Sequence, residues 1–318
     1  TLDRSSAASD VYKRQRYMNK TNFFGYMASV VSYLEEEQRH GTAHVYRSVL
    51  RRVIEFEGLD VLEFNDLTPL WLRSFQEYLL SRQLHWNTIS TYMRMLRATY
   101  FRAVDDGLVP YRPRLFKGVY TGTKVTVKRA VDEDVFRKLS IPVADERLES
   151  TRLLFLLLFM LRGMPFVDVA YLRHCDFHNN VIVYRRKKTG AWLTVRVEGK
   201  ALEIIRSLRN SDENSPYLFP LIHNPGKDEY RQYQNALRGF NYRLKKLKEH
   251  INGVTGLTSY TARHSWATIA NYRDYQPELI SNAMGHSSVK VTETYFMKHT
   301  VERINEMNKG IISYIFTK

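Results

Sequence analysis

Four short segments, widely separated in a chain of 318 residues, carry side chains suited to chemistry on an anion. Leu161-Arg162-Gly163 follows the most apolar stretch of the chain, and Lys188-Thr189-Gly190 marks a turn. Ser259 to Trp266 places Tyr260 and Arg263 three apart, on one face of a helix. Gly285-His286-Ser287-Ser288 runs on to Tyr295, nine positions after the histidine. Guanidinium groups meet anionic oxygens with a fork geometry that lysine lacks. A phenol becomes a nucleophile where nearby positive charge helps it lose its proton. Taken singly, each segment has an ordinary reading: Arg162 as a helix-end cation favoured by the dipole, Lys188 in a solvated turn, Tyr260 as a packing residue beside an exposed Arg263, His286 and Tyr295 as a structural histidine and a surface tyrosine.

The charge balance favours the chemical reading. Lysine and arginine number 48 against 33 acidic residues, a net charge of +15, and such a protein is most economically a binder of polyanions, nucleic acid first. A membrane-surface role is weaker, because the basic residues are dispersed through folded-looking segments rather than gathered on one terminal amphipathic helix. Hydrophobic residues make up 44% and aromatics 13%, enough for two cores. The longest apolar run, Leu153 to Leu161, is far short of the roughly 20 residues that span a bilayer, and no stretch is laid out as a secretory signal, so the expected location is the cytoplasm. The single cysteine, Cys175, cannot form an internal disulfide, and lone cysteines rarely bind metal.

Residues 1–17 read as a polar leader without apolar periodicity, of adapter origin, with Met18 as the natural start. Residues 18–110 then form a bundle of about four helices. Their apolar positions recur at helical spacing through Phe23, Met27, Val30 and Leu34, then Val45, Leu50 and Val53. Thr68-Pro69 caps a third helix, and Asn87 opens a fourth, closed by Gly107 and Pro110. Residues 111–129 are aperiodic and basic, with Arg112, Arg114, Lys117, Lys124 and Lys128, and read as a linker able to lie along phosphates. Residues 130–318 make a second domain, mostly helical. Asp132 caps its first short helix, and a nearly all-apolar buried helix follows from about Thr151 to Arg162. Val181 to Arg185 and Trp192 to Val197 alternate as a hairpin about Thr189-Gly190. Helices follow over about 200–209, 228–251, 260–272 and 277–284. The expected fold is mainly α with a small β-sheet, an α+β domain preceded by an all-α bundle.

In order and spacing the four segments resemble the tyrosine recombinases, the phage-integrase type of site-specific recombinase. The resemblance extends over about residues 20 to 318 and is strongest at Ala262-Arg263-His264 and from Gly285-His286-Ser287-Ser288 to Tyr295. It implies an N-terminal SAM-like core-binding domain and a C-terminal catalytic domain, joined by a linker so that the two clamp a duplex. It also implies breakage and rejoining of DNA through a covalent 3′-phosphotyrosyl intermediate, without ATP, metal or other cofactor. Arg162 and Arg263 would hold the scissile phosphate, Lys188 would be the hairpin lysine that protonates the departing 5′ oxygen, His286 would share proton management, and Tyr295 would be the nucleophile. These residue types suit such chemistry, since guanidiniums meet the charge that builds on the phosphate and a lysine on a flexible hairpin can act as general acid.

The sequence departs from the family pattern at Tyr260, where a histidine usually stands three before the second arginine. A phenol there can donate to phosphate but cannot act as a base near neutral pH, and His264 lies four residues on. The segment after Arg162 is also longer than usual before its acidic residue, Asp168, which is read as an orienter of Arg162. The partners implied are double-stranded DNA with paired recombination sites, three further copies of the chain in a tetramer, and accessory DNA-bending proteins. No membrane partner is implied, and a nucleoid-associated location follows. The apolar tail at Ile311, Ile312, Tyr314, Ile315 and Phe316 is expected to pass between protomers. The competing readings are a DNA-binding accessory protein without catalysis and a type IB topoisomerase-like enzyme.

Overall fold

The computed structural model describes residues 22–59, 61–126, 129–249, 256–297 and 299–316, the side chains of 312 and 314–316 excepted. The proposed leader 1–17, the start at Met18 and Lys128 lie outside the described residues. Contacts divide the chain into two units, Thr1–Thr126 and Val127–Lys318.

The first unit is built from α1 (Phe23–Glu36), α2 (His40–Glu57), α3 (Pro69–Ser81) and α4 (Trp86–Asp105). Capping is written into the sequence. The Asn22 side chain accepts from the Gly25 N–H at 2.7 Å, and Thr68 accepts from Trp71 at 3.1 Å with Pro69 opening α3. Phe23, Met27, Leu72, Phe75, Ile89, Met93, Leu96 and Tyr100 form a fully buried core, so the helical stripes legible in the sequence face one another.

Two details differ from the sequence reading. Asn87 does not cap α4, which begins one residue earlier; its amide accepts from the Lys124 N–H at 2.7 Å and donates to the Lys124 carbonyl at 2.8 Å. The stretch after Pro110 is correspondingly not a free tether up to Lys124. Leu115 and Phe116 are buried in the bundle core, Ser90 donates to the Gly122 carbonyl at 2.6 Å, and Lys124 stacks on Trp86 at 4.4 Å. Aperiodicity marked a segment without helix, and burial of two apolar side chains still anchors it.

In the second unit α5 (Glu133–Leu139) is capped by Asp132, as its sequence indicates. The apolar helix α6 (Glu146–Met160) starts a turn earlier than its apolar run, because Asp145 accepts from the Leu148 N–H at 2.8 Å and the first turn is polar. Leu154 to Leu158 are all buried, and α6 packs against α8 (Gly199–Leu208), α9 (Glu229–Glu249) and α10 (Ser259–Tyr272). A short α7 (Phe166–Ala170) leads to an antiparallel sheet in the order β1 (Phe177–His178), β2 (Val181–Arg185), β3 (Trp192–Arg196), with Val181 opposite Arg196 and Arg185 opposite Trp192. The hairpin was legible, whereas the two-residue β1 was too short to alternate visibly. After α10 come α11 (Pro277–Met284), α12 (Val289–Glu293) and α13 (Val301–Phe316). Gly285, at φ +63°, turns the chain out of α11.

Removing the anchor of the 120–124 segment separates docking from folding. Asn87→Ala deletes two exposed hydrogen bonds, so global stability falls by about 1 kcal/mol or less. Limited trypsin digestion should nevertheless cut after Lys124 several-fold faster than in the parent chain, and unchanged cleavage would show that the anchor lies elsewhere.

Candidate active site

The site is assembled where four helix ends and one hairpin converge. Arg162 and Gly163 follow α6 in consecutive left-handed conformations, at φ +60° and +66°. The turn presses Gly163 against α10: a Cβ there would lie 2.8 Å from the Arg263 Cα, closer than real Cβ contacts come. Arg263 lies in the second turn of α10 and is 3% exposed. It donates from Nη1 to the Gly163 carbonyl at 2.7 Å and from Nη2 to the Met284 carbonyl at 2.9 Å. The helix ends of α6 and α11 thus meet on one guanidinium.

His286, just past Gly285, completes that junction. Its Nε2 lies 2.7 Å from Arg263 Nη2 and its Nδ1 2.8 Å from Thr292 Oγ1. A guanidinium has no lone pair to offer, so Nε2 must accept and Nδ1 must carry the proton and donate to Thr292. Burial first, then the charges of Arg263, Arg186 and Lys188, push the imidazole down to about 4. The ring is therefore neutral at pH 7.

Tyr295 follows α12 and is held between two imidazoles. Its ring stacks on His286 at 5.1 Å and 22°, and lies 4.6 Å from the ring of His264. Its carbonyl accepts from Thr268 Oγ1 at 3.2 Å. The Arg263 guanidinium lies 5.6 Å from the Tyr295 ring centre. Arg263 itself is pulled below its usual range by desolvation and then by Arg186, while the Tyr295 hydroxyl works in the other direction. Its Nε is buried with no partner among the described residues.

Lys188 stands exposed at the hairpin tip, close enough for its charge to act on His286. Tyr260 is 47% exposed at the start of α10, 6.4 Å ring to ring from His264, and desolvation of its hydroxyl raises it above the ordinary phenol range. Arg162 is placed differently from the others. It is half-buried, donates from Nη1 to the Thr194 carbonyl of β3 at 3.2 Å, and borders an apolar groove with Phe159 and Trp266. The structure thus draws Lys188, Tyr260, Arg263, His286 and Tyr295 together and leaves Arg162 at their edge.

One central residue escaped the sequence reading. Arg186, 6% exposed, donates from Nε to Asp168 at 3.4 Å and from Nη1 to the carbonyls of Met284 and Gly285 at 3.1 and 2.8 Å. Asp168 also accepts from the Lys187 N–H at 2.9 Å, so it serves the hairpin and not Arg162, contrary to the sequence expectation. A signal was present: Ile182, Tyr184 and Arg186 are buried while Val183 and Arg185 are exposed, so the strand's period of two already put Arg186 on the inward face. Among the described residues no cluster of metal-ligating side chains occurs and no helix is long and apolar enough to cross a membrane.

Comparison with known proteins agrees with this layout. The phage integrase SAM-like domain model matches residues 22–118, and the phage integrase family model matches residues 131–302. The second match alone covers more than half of the chain, and the protein belongs to the phage integrase family of tyrosine recombinases. Tyrosine recombinase XerA of Pyrococcus furiosus is 26% identical over 189 residues, 57% of this chain and 63% of that protein. The match therefore spans under two thirds of that relative's length. Among solved structures, the Tn1549 transposon integrase in complex with a circular intermediate DNA superposes with a TM-score of 0.63 at 16% identity, covering 91% of this chain and 99% of that one. A lambda integrase tetramer bound to a Holliday junction gives 0.65 at 11% identity, covering 92% and 82%. At these identities the structures establish the fold: mainly α, with the small sheet in the second unit.

The charge state of His286 has a measurable consequence. The unfolded chain takes a proton near the ordinary value of 6.5 and the folded chain only near about 4, so this residue favours the fold above pH 6.5 and loses that contribution as pH falls through the window between them. Histidine side-chain NMR should show His286 neutral, with the Nδ1–H tautomer, down to about pH 4. An inflection near 6.5 would refute the placement of its cationic neighbours.

Proposed function

We propose that this protein is a site-specific recombinase that breaks and rejoins DNA with Tyr295 as nucleophile. The observation that carries the reading is the position of the Tyr295 ring, beside a buried Arg263 and between His264 and His286 of the same chain. The phenol oxygen attacks the phosphorus, forming a 3′-phosphotyrosyl ester and breaking the bond to the 5′ oxygen. The unpartnered Nε–H of Arg263 is a donor that burial makes costly to leave unmade, and a non-bridging phosphate oxygen satisfies it. Arg162, tied at a half-exposed position by one 3.2 Å bond, exchanges the Thr194 carbonyl for the other side of the phosphate. Tyr260 donates to the same phosphate. Lys188, exposed on the hairpin, gives the departing 5′ oxygen its proton. The ester keeps the bond energy, and a second strand's 5′ hydroxyl displaces the tyrosine.

Neutral His286 cannot serve Tyr295 while its Nε2 accepts from Arg263. In this reading Arg263 stays on the Gly163 and Met284 carbonyls, and the arriving phosphate takes the Nη2 hydrogen bond that His286 held, which frees that lone pair for the phenolic proton. The net charge of +15 and the two-unit layout suit DNA held from the two units together, residues 18–110 as the core-site binder and 130–318 as the catalytic domain, with action in the nucleoid.

Assembly follows from α13. Val301, Ile304, Met307 and Ile311 recur at helical spacing and are each half or more exposed, so the helix leaves an apolar stripe uncovered. The groove bordered by Phe159, Trp266, Ile269, Tyr275 and Leu279 is an apolar receptor of about 400 Å³ on the same unit. A tetramer in which each α13 enters the groove of a neighbouring copy covers both surfaces.

The chemistry is tested on a suicide duplex carrying a site selected for tight binding by this chain. The parent chain should yield a covalent protein–DNA adduct and Tyr295→Phe none; adduct from the Phe variant would remove Tyr295 from the role, and no adduct from either would favour an accessory DNA-binding protein. Supercoiled plasmid without that site should stay supercoiled, since relaxation would indicate a type IB topoisomerase-like activity.

Assembly is tested separately. Truncation after Gly310 and, independently, Leu279→Glu should each abolish cooperative binding to paired sites while leaving single-site binding within about two-fold. Retained cooperativity in both would mean that α13 packs elsewhere.

A further inference from the structure

The base of the hairpin that carries Lys188 is fastened to the corner that carries His286, and one side chain makes the fastening. Arg186 sits where β2 gives way to the turn. Its own backbone closes the hairpin, donating to the Ala191 carbonyl at 2.8 Å and accepting from the Gly190 N–H at 2.9 Å. Its guanidinium then spans outward to Asp168 and to the carbonyls of Met284 and Gly285. Asp168 takes the neighbouring Lys187 N–H as well, so backbone and side chain of the hairpin base are held by one carboxylate. Gly285 is cut to fit: a Cβ there would stand 2.9 Å from the Arg186 Cδ and 2.9 Å from a Leu193 methyl. Lys188 is two residues along from Arg186, and His286 is one residue along from Gly285.

From this we infer that Arg186 is a positioning residue that sets where Lys188 stands relative to the scissile phosphate, by fastening the hairpin base to the corner before His286. The inference rests on the recombinase reading above and adds a residue to it. Arg186 acts through the groups it holds. Its Nε and Nη1 donors are committed to Asp168 and the two carbonyls, and no lysine could replace them, because an ammonium on a single stem cannot reach one carboxylate and two carbonyls in a plane. The exposed hairpin tip needs such a root. A general acid must come within hydrogen-bond reach of the leaving oxygen, and a tip hinged on a loose base would spread Lys188 over many positions.

The test uses the leaving group. Attack by Tyr295 forms the O–P bond and breaks P–O5′, and the alkoxide must be protonated as it leaves. If sulfur replaces that bridging oxygen, the group departs as a thiolate, whose conjugate acid has a pKa of about 8.5, and no proton donor is required. On the oxygen suicide duplex, Arg186→Ala and Arg186→Lys should form adduct at least about 10²-fold more slowly than the parent chain, the scale of lost general acid catalysis. On the 5′-bridging sulfur duplex both should return to within about ten-fold of the parent rate, as should Lys188→Ala, whereas Arg263→Ala should stay slow on both. Circular dichroism and thermal unfolding identify any variant that fails to fold. The lysine variant, which keeps charge and bulk in the slot, carries the test if the alanine variant unfolds.

Parent-like rates on the oxygen duplex would overturn the inference. So would a defect equally deep on sulfur in the folded variant, since that would make Arg186 a direct contact of the non-bridging oxygens. Failure of sulfur to rescue Lys188→Ala would remove the acid that Arg186 is argued to position. If the parent chain forms no adduct on either duplex, the recombinase reading itself falls. If the parent reacts and Lys188→Ala is rescued while the Arg186 variants are not, this inference alone falls.

Discussion

Two guanidiniums donate to one carbonyl. Arg186 Nη1 and Arg263 Nη2 both end on the Met284 oxygen, at 3.1 and 2.9 Å, so two buried positive charges are held together with Asp168 as the carboxylate at their side. Such a cluster is electrostatically poor on its own. Desolvation pushes Asp168 up and Arg263 down, each toward its neutral form. What keeps Arg263 charged is its very high intrinsic basicity and the carbonyl dipoles of Gly163 and Met284. The result is a net positive, buried nook in which the Arg263 Nε–H has no partner among the described residues.

The rest of the second unit can be understood as what this cluster requires. Carbonyls can be aimed at a buried guanidinium only from chain ends, where the helical ladder leaves them unpaired. The ends of α6 and α11 supply Gly163 and Met284, and both turns run through left-handed glycines whose missing Cβ lets the chain approach. Close packing then does the positioning. Thr292 orients His286, Thr268 holds the Tyr295 carbonyl, and the two imidazoles fix the plane of the phenol. The same buried cations keep His286 neutral, and its Nε2 lone pair is taken up by Arg263.

Much of this was legible because it is local. Helical period marked the bundle, Thr68, Asp132 and Pro277 marked helix starts, and alternation marked β2 and β3. Lys188, Arg263, His286 and Tyr295 stood in segments whose order and spacing resembled a known family, and the structure brings them to one place. What escaped depends on partners distant in sequence. Asn87 looked like a cap because asparagine suits caps, but Lys124, 37 residues away, claims both ends of its amide. Asp168 was paired with Arg162 on sequence proximity, and tertiary packing gave it instead to the hairpin, where Lys187 offers a backbone N–H and Arg186 an Nε. Arg186 lay one residue beyond an alternating strand and beside three other basic residues, so its inward orientation was hidden in what looked like a solvated basic run.

The distribution of burial across the site follows from what each group has to do. Groups that stabilise developing charge work best when they do not move, since any reorientation during the reaction subtracts from the stabilisation. Arg263 is buried and multiply bonded, and Arg186, which fastens the hairpin base, is buried beside it. Lys188 and Tyr260 are more exposed, and Arg162 is held by one 3.2 Å hydrogen bond to the Thr194 carbonyl. The fastening at Arg186 is where the two regimes meet, because it is the buried side chain from which the exposed hairpin projects.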